Sequence, residues 1–182
     1  MATRYPGDSM THASPTIDYW HHKIHEGNFF YYNELLTAMT TTKEYTIHTA
    51  NTPNKWTHFV YLVGSNAECN IKIYEGATVS SAGEQCTVLN RNRNCDNVSD
   101  TLIYGAPVIT ANGTLIDEHQ LGNDGVGIFN DVGGSSSEDH ELILKYNTIY
   151  YILITAAAQV SCDINVKFNW YEQENSVYYE ND

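Results

Sequence analysis

Apolar residues at every second position along the last third of the chain constrain the fold more than any other feature. Strict alternation of this kind is typical of a β-strand with one buried face. Residues 160–171 show it most clearly, and the apolar set is Cys162, Ile164, Val166, Phe168 and Trp170. Residues 68–75 repeat the pattern with Cys69, Ile71 and Ile73 on the apolar face. Both segments are therefore predicted to be strands that face a core.

Further short segments fit the same interpretation. The additional predicted strands are 44–49, 57–63, 85–89, 101–109, 114–121, 140–145 and 148–155. Turn residues separate them, and Tyr146-Asn147 is predicted to be a tight turn or a bulge. No long amphipathic helix is evident, and residues 33–40 are predicted to form at most one or two helical turns. The pattern predicts an all-β fold, an antiparallel β-sandwich that resembles a jelly roll.

The first 35 residues differ from the rest of the chain. They are rich in aromatic rings and histidines, show no sustained alternation, and contain only a fragment of helical spacing between Tyr19 and Glu26. We predict an extended N-terminal arm whose rings must be buried on its own domain or on a neighbour. The predicted organisation is an arm over 1–35, a β-sandwich over 36–171 and an acidic C-terminal tail over 172–182.

The charge of the chain narrows its partners. The 182 residues include 9 Lys and Arg against 22 Asp and Glu, for a formal net charge of −13. Nucleic-acid binding needs clustered basic residues, so we expect no nucleic-acid partner. No apolar run is long enough to span a bilayer and the N-terminus has no apolar signal-peptide core, so we expect neither a membrane partner nor secretion.

Four cysteines are present, at positions 69, 86, 95 and 162, and none forms a C-x-x-C pair. Such spacing does not support a zinc ribbon or a thioredoxin-like site. We predict reduced thiols, since two disulfides would require an oxidising compartment.

The sequence contains no strong motif for catalysis, metal binding or phosphate binding. His21, His22 and His25 resemble a metal cluster but lack the glutamate of H-E-x-x-H, so local hydrogen bonding and packing are favoured, with a pH-sensitive contact as the alternative. The glycine-rich segment 122–137 contains no lysine and is not a phosphate loop. We predict no catalytic residues, no metal and no cofactor. A sandwich-fold hydrolase is kept as a third hypothesis, after the two binding functions described below.

The segment Asn90-Arg-Asn-Arg-Asn94 places two arginines on an acidic protein. An Arg fork suits bidentate contacts to carboxylates or carbonyl oxygens. Two interpretations stay open: Arg91 and Arg93 contact an acidic neighbouring subunit, or they stabilise a loop inside the monomer.

Several motifs occur together in one order: H-H-x-I-H-E-G, Y-E-G, N-R-N-R-N and W-Y-E. They lie in the segments 18–27, 60–63 with 73–76, 89–94, 141–150 and 168–172. Over residues 18–172 the chain resembles a group of tailed-bacteriophage virion structural proteins, several of which resemble capsid decoration (cement) proteins. The resemblance implies a β-sandwich subunit that assembles into trimers and attaches to the outer face of the phage head.

The resemblance and the residue patterns together define the expected function. We expect a head decoration protein, made in the host cytoplasm and located on the capsid surface, whose partners are the major capsid protein and its own copies in a homotrimer. The alternative is a tail- or fibre-associated β-module that binds a host surface glycan. The predicted capsid and subunit interface comprises Tyr19, Trp20, His21, His22, His25, Phe29, Phe30, Arg91 and Arg93.

Overall fold

The structure is a computed structural model, and it describes residues 18–121, 130–132, 141–157 and 161–174, with 130–132 described by their backbone. Residues 1–17 of the predicted arm, most of the glycine-rich segment and the tail from residue 175 lie outside the described residues. The described elements are α1 (Tyr19–His25), β1 (Phe29–Met39), β2 (Thr42–His48), β3 (Lys55–Ser65), β4 (Cys69–Glu75), β5 (Thr78–Ser81), β6 (Glu84–Gln85), β7 (Leu89–Asn90), β8 (Leu102–Gly105), β9 (Val108–Ala111), β10 (Thr114–Leu121), β11 (Asn130–Val132), β12 (Leu142–Leu144), β13 (Ile149–Ala156) and β14 (Cys162–Glu174).

Two antiparallel sheets form the body of the protein. The first sheet has the order β11-β3-β14-β1-β7, with β12 also paired to β3, and the second has the order β10-β4-β13-β2-β8-β6. The connections that pass from one sheet to the other are β1–β2, β2–β3, β3–β4, β6–β7, β7–β8, β10–β11, β12–β13 and β13–β14. This winding is that of a jelly roll. The predicted all-β antiparallel sandwich is therefore confirmed.

The core lies between the two sheets and follows the predicted alternation. Cys69, Ile71 and Ile73 are all at most 2% exposed, and so are Cys162, Ile164, Val166, Phe168 and Trp170. All four cysteines are free thiols. Cys69 and Cys162 are buried, and Cys86 and Cys95 are half-buried. Asn169 lies on the face of the last strand opposite this apolar set, yet it is only 8% exposed, because other residues cover the outer side of the first sheet at this point.

Strand β1 occupies a region in which the sequence predicted part of the arm and one or two helical turns. It pairs antiparallel with β14 over eight consecutive positions, from Phe29 opposite Tyr171 to Leu36 opposite Ile164. The apolar alternation is obscured because Glu34 faces the other sheet. The first strand of the first sheet therefore begins at Phe29, within the segment predicted as the arm.

Three hydroxyl and ammonium donors explain how Glu34 is accommodated at the edge of the core. Its carboxylate accepts hydrogen bonds from Tyr32 Oη at 2.6 Å, Tyr45 Oη at 2.6 Å and Lys43 Nζ at 2.9 Å. Burial by itself raises the pKa of Glu34, but these three hydrogen bonds outweigh it and hold the pKa below its usual value. A polar residue in the alternating pattern is therefore structural here.

The segment between β4 and β10 closes one side of the sandwich. Its strand β7 joins the first sheet beside β1, and β8 with β6 extends the second sheet beside β2. The tail also starts later than predicted, because β14 continues to Glu174 and the side chain of Glu172 is buried. The buried carboxylate of Glu172 accepts hydrogen bonds from Ser99 Oγ at 2.6 Å and from the Thr101 amide at 2.8 Å. The segment between β4 and β10 also brings Asn90–Asn94 next to α1.

Candidate interaction surface

Helix α1 packs on the outer face of the first sheet. The Tyr19 ring lies edge-on to Tyr171 at 5.6 Å, and the Trp20 ring lies 5.4 Å from Phe29. Phe29 and Tyr171 are directly opposite each other on β1 and β14, so they form one aromatic row under the helix. The predicted fragment of helical spacing is confirmed, and the aromatic rings of its first turn are buried partly against their own subunit.

A single carboxylate connects the helix to the sheet. Glu141 precedes β12, and its Oε1 accepts hydrogen bonds from His58 Nδ1 at 2.5 Å and from Tyr171 Oη at 2.9 Å. Its Oε2 accepts from Trp20 Nε1 at 3.1 Å. Since a carboxylate only accepts, the proton of His58 lies on Nδ1 in this contact. Glu141 therefore binds α1, β3 and β14 at one point, which we call the Glu141 node.

The imidazole of His58 is enclosed at this node. It stacks on the Tyr171 ring with 4.4 Å between centroids and 13° between planes. His58 is 9% exposed, and its Nε2 is a buried atom that has no hydrogen-bond partner among the described residues. A buried nitrogen without a partner is costly, so the packing around the node supplies the compensating stabilisation.

Apolar side chains are exposed beside the helix. Tyr19 is 46% exposed, Ile143 57% and Tyr146 47%. Ile143 and Tyr146 border a cavity of about 370 Å³ that Trp56 also lines. Trp56 is opposite Gln173 in the pairing of β3 with β14, and Tyr19 Oη donates to Gln173 Oε1 at 2.6 Å. Through Gln173, Tyr19 on α1 and the residues around the cavity therefore belong to one surface at the same end of the sandwich.

We name this surface the α1-end patch and define it as Tyr19, Trp56, Ile143 and Tyr146. Of these, the sequence identified only Tyr19. No local signal marks the others. Ile143 lies on the predicted strand 140–145, where an apolar residue indicates a core position, and Trp56 directly precedes the predicted strand 57–63. His58 and Glu141 were also missed, since 83 residues separate them along the chain.

The three predicted histidines lie on the exposed surface of α1. The rings of His21 and His25 are 4.8 Å apart, and His22 Nδ1 lies 3.3 Å from a carboxylate oxygen of Glu26. Such contacts match the interpretation of local hydrogen bonding and packing. Among the described residues no group of three or more potential metal ligands is present.

Arg91 folds back onto its own subunit. Its guanidinium lies 5.1 Å from the centre of the Phe29 ring, and Nη2 donates to Asn169 Oδ1 at 3.1 Å. In the same segment, Asn90 Nδ2 donates to the Gly27 carbonyl oxygen at 2.7 Å. These contacts favour the interpretation of a loop stabilised inside the monomer, whereas Arg93 is exposed.

The fold places the predicted interface residues in different parts of the protein. Tyr19, Trp20, Phe29 and Arg91 come together on the outer face of the first sheet. Phe30 does not join them, because it faces the core and packs 6.2 Å from Trp170. Phe29 and Phe30 are each only 1% exposed. Both rings are already buried within the subunit as residues of β1.

No helix among the described residues combines the length and the apolar character that crossing a membrane requires. Comparisons with protein-family models, with curated proteins and with solved structures found no match to this chain.

Proposed function

We propose that this protein is a bacteriophage head decoration protein that binds the outer capsid surface as a trimer and stabilises neighbouring capsid subunits. The observation that carries the proposal is the α1-end patch, a group of exposed apolar side chains with the half-buried Trp56, held at one end of a jelly roll. The motifs that resemble virion structural proteins support the same conclusion. Decoration is a binding function, and the patch supplies the apolar area that binding requires.

The structure explains how such a patch can be presented without reorganisation. The Glu141 node and the aromatic row of Phe29 and Tyr171 hold α1 in place, so little chain entropy is lost when the patch is covered. Burial of apolar surface contributes about 25 cal/mol per Å². Because a capsid offers many equivalent sites and a trimer presents several patches, avidity raises the occupancy beyond that of a single contact.

The proposal is tested with particles of the parent phage that lack the protein. Purified wild-type chain is added, and bound protein is measured after sedimentation of the particles. We expect Tyr19→Ser combined with Ile143→Ser to reduce occupancy strongly. The matched control is Leu115→Ser, because Leu115 is a 44% exposed apolar residue on the edge strand β10.

The outcomes are decisive in both directions. Loss of occupancy with the double variant and full occupancy with the control support the α1-end patch as the capsid contact. A wild-type protein that does not bind the particles, or a double variant that binds like the wild type, overturns the proposal. Circular dichroism of each variant shows that the fold is retained.

A second candidate function is a tail- or fibre-associated module that binds a host surface glycan. The observation in its favour is the cavity that Trp56 and Tyr146 line, since aromatic rings with a few polar groups are typical of ligand sites. A glycan array probed with labelled wild-type protein and with Trp56→Ala tests it. Binding to one glycan class that the variant loses supports this candidate, and an empty array rejects it.

A further inference from the structure

A short two-stranded sheet crosses the outer face of the second sheet. Strands β5 and β9 pair only with each other, and they connect β4 to β6 and β8 to β10. In the second sheet β13 and β2 separate β4 from β8, so these connections have to cross both strands. Thr46 and Tyr151, which lie opposite each other on β2 and β13 and face away from the core, are only 0% and 3% exposed. We call the structure that covers them the β5–β9 ribbon and define it as residues 76–83 and 105–113.

Backbone hydrogen bonds attach the β5–β9 ribbon to the strands that it crosses. The amides of Gly76 and Ala77 both donate to the Ile149 carbonyl oxygen of β13, each at 3.0 Å. At the other end of the ribbon, the Ala106 amide donates to the Glu44 carbonyl oxygen of β2 at 3.2 Å. The ribbon is therefore fixed at both ends on the body of the sandwich.

The ribbon has an inner side and an exposed outer side. Val79 and Ile109 are directly opposite each other and half-buried, so they form the inner side. The alternate positions point outward and are all exposed, and they are Thr78, Ser80, Val108 and Thr110. The Val108 side chain is an aliphatic group that is 54% exposed.

The β5–β9 ribbon contains no charged residue, although Asp, Glu, Lys and Arg make up 17% of the chain. Carboxylates flank it: Glu75 directly precedes residue 76, and Glu84 directly follows residue 83. Glu75 is paired with Lys145 at 2.6 Å. The carboxylate of Glu44, on the strand below, accepts a hydrogen bond from Tyr151 Oη at 2.8 Å. A partner seated on the ribbon therefore finds no charge to pair with on the ribbon itself.

We propose that the β5–β9 ribbon binds a second copy of this chain. Each copy carries a formal net charge of −13, so most orientations of two copies bring acidic surfaces together. The ribbon lets two such chains meet with no charged side chain on this part of the contact. A partner of opposite charge would be bound through ion pairs, which the ribbon does not offer.

The ribbon supplies neutral groups for such a contact. They are the exposed Val108 side chain, the outward hydroxyl groups, and the outer edges of β5 and β9, neither of which has a second strand partner among the described residues. Unpaired strand edges present backbone donors and acceptors that a second chain can use. The inference rests on the homotrimer of the proposed function and assigns one contact surface of that assembly.

Sedimentation equilibrium of charge variants tests the assignment. Val108→Asp and Val108→Lys place a charge of either sign on the outer side of the ribbon. Leu35→Asp and Leu35→Lys are the matched controls, because Leu35 is an aliphatic strand residue of the first sheet and is 63% exposed. Each control changes the net charge by the same amount as its counterpart. Circular dichroism of the four variants shows that the fold is retained.

We expect the dissociation constant of the wild type to rise at least about tenfold in both Val108 variants. The reason is that covering an unpaired charge is costly whatever its sign. The same charges at Leu35 should change the dissociation constant by less than about threefold, because exposed charges at a distance are screened. Raising the NaCl concentration from about 50 to about 500 mM should strengthen wild-type association, since salt screens the repulsion between two acidic chains.

Three results overturn the inference. The first is a wild-type chain that stays monomeric at all concentrations in high salt. The second is a Val108→Lys variant that associates as tightly as the wild type or more tightly, since relief of general repulsion alone would produce that outcome. The third is dissociation of the wild type by salt, which is the behaviour of a contact built on ion pairs.

Failure of this inference and failure of the proposed function give different results. Particle binding is measured separately with the Tyr19 and Ile143 variants, which leave the ribbon unchanged. A dimer that both Val108 variants dissociate supports the ribbon contact and overturns the trimer of the proposed function. A trimer that only the Leu35 variants dissociate supports the trimer and overturns the ribbon contact.

Discussion

Replacement of Glu141 by alanine tests whether one carboxylate holds α1 against the sheet. The variant removes the acceptor for Tyr171 Oη and for Trp20 Nε1, while His58 Nδ1 still lies 2.9 Å from Tyr171 Oη. Two hydrogen bonds to a charged group are therefore lost rather than three. Each such bond contributes about 1.5–3 kcal/mol, and the half-buried Trp20 recovers part of its share from water.

The expected loss is about 2–4 kcal/mol in the free energy of unfolding. For a domain of this size each kcal/mol corresponds to about 2–4 °C in the melting temperature, so a decrease of roughly 4–16 °C is expected. Urea unfolding gives the free energy and differential scanning calorimetry gives the midpoint. Glu118→Ala is the control, because Glu118 is an exposed carboxylate paired with Lys72, and its removal should leave the melting temperature close to that of the wild type.

Hydrogen exchange gives a second readout that a general loss of stability does not reproduce. In Glu141→Ala the amide groups of Tyr19–His25 should lose protection before those of the β14 core. Equal effects of the two alanine variants on stability would refute the reasoning, and so would unchanged protection of α1.

Three further predictions concern the core, a turn and the acid limb of stability. Phe30→Ala lowers the free energy of unfolding by about 3–5 kcal/mol in urea melts, whereas the exposed Leu35→Ala changes it by less than about 0.5 kcal/mol; similar values for both would contradict the burial of Phe30. Gly27→Ala lowers the melting temperature, because Gly27 has a φ of 74° and a Cβ would lie 2.3 Å from Cys95 Sγ; a midpoint equal to that of the wild type would refute the clash. The lowered pKa of Glu34 contributes stability that is present above its unfolded pKa of about 4.3 and is lost as the pH falls through its lower folded value, so Glu34→Gln flattens the decrease in stability below about pH 4.3. Unchanged acid dependence in urea melts of Glu34→Gln would count against this coupling.

Much of the sandwich could be predicted from local pattern. The alternation at Cys69–Ile73 and at Cys162–Trp170 is a period-two signal that depends only on neighbouring residues, and both segments face the core as expected. Strand β1 was not recognised because Glu34 interrupts its inward face. The carboxylate is acceptable there only because Tyr45, from the other sheet, and two further donors satisfy it.

For the candidate surface too, some features follow from the local sequence and others only from the tertiary structure. The sequence by itself determined that Tyr19–Glu26 has helical spacing and that aromatic residues near the N-terminus need burial. Only the tertiary structure decided where that burial occurs, because Glu141, His58 and Tyr171 meet through strand pairing between distant parts of the chain. Local periodicity reports which face of a strand is apolar, whereas the register of paired strands decides which side chains share a site.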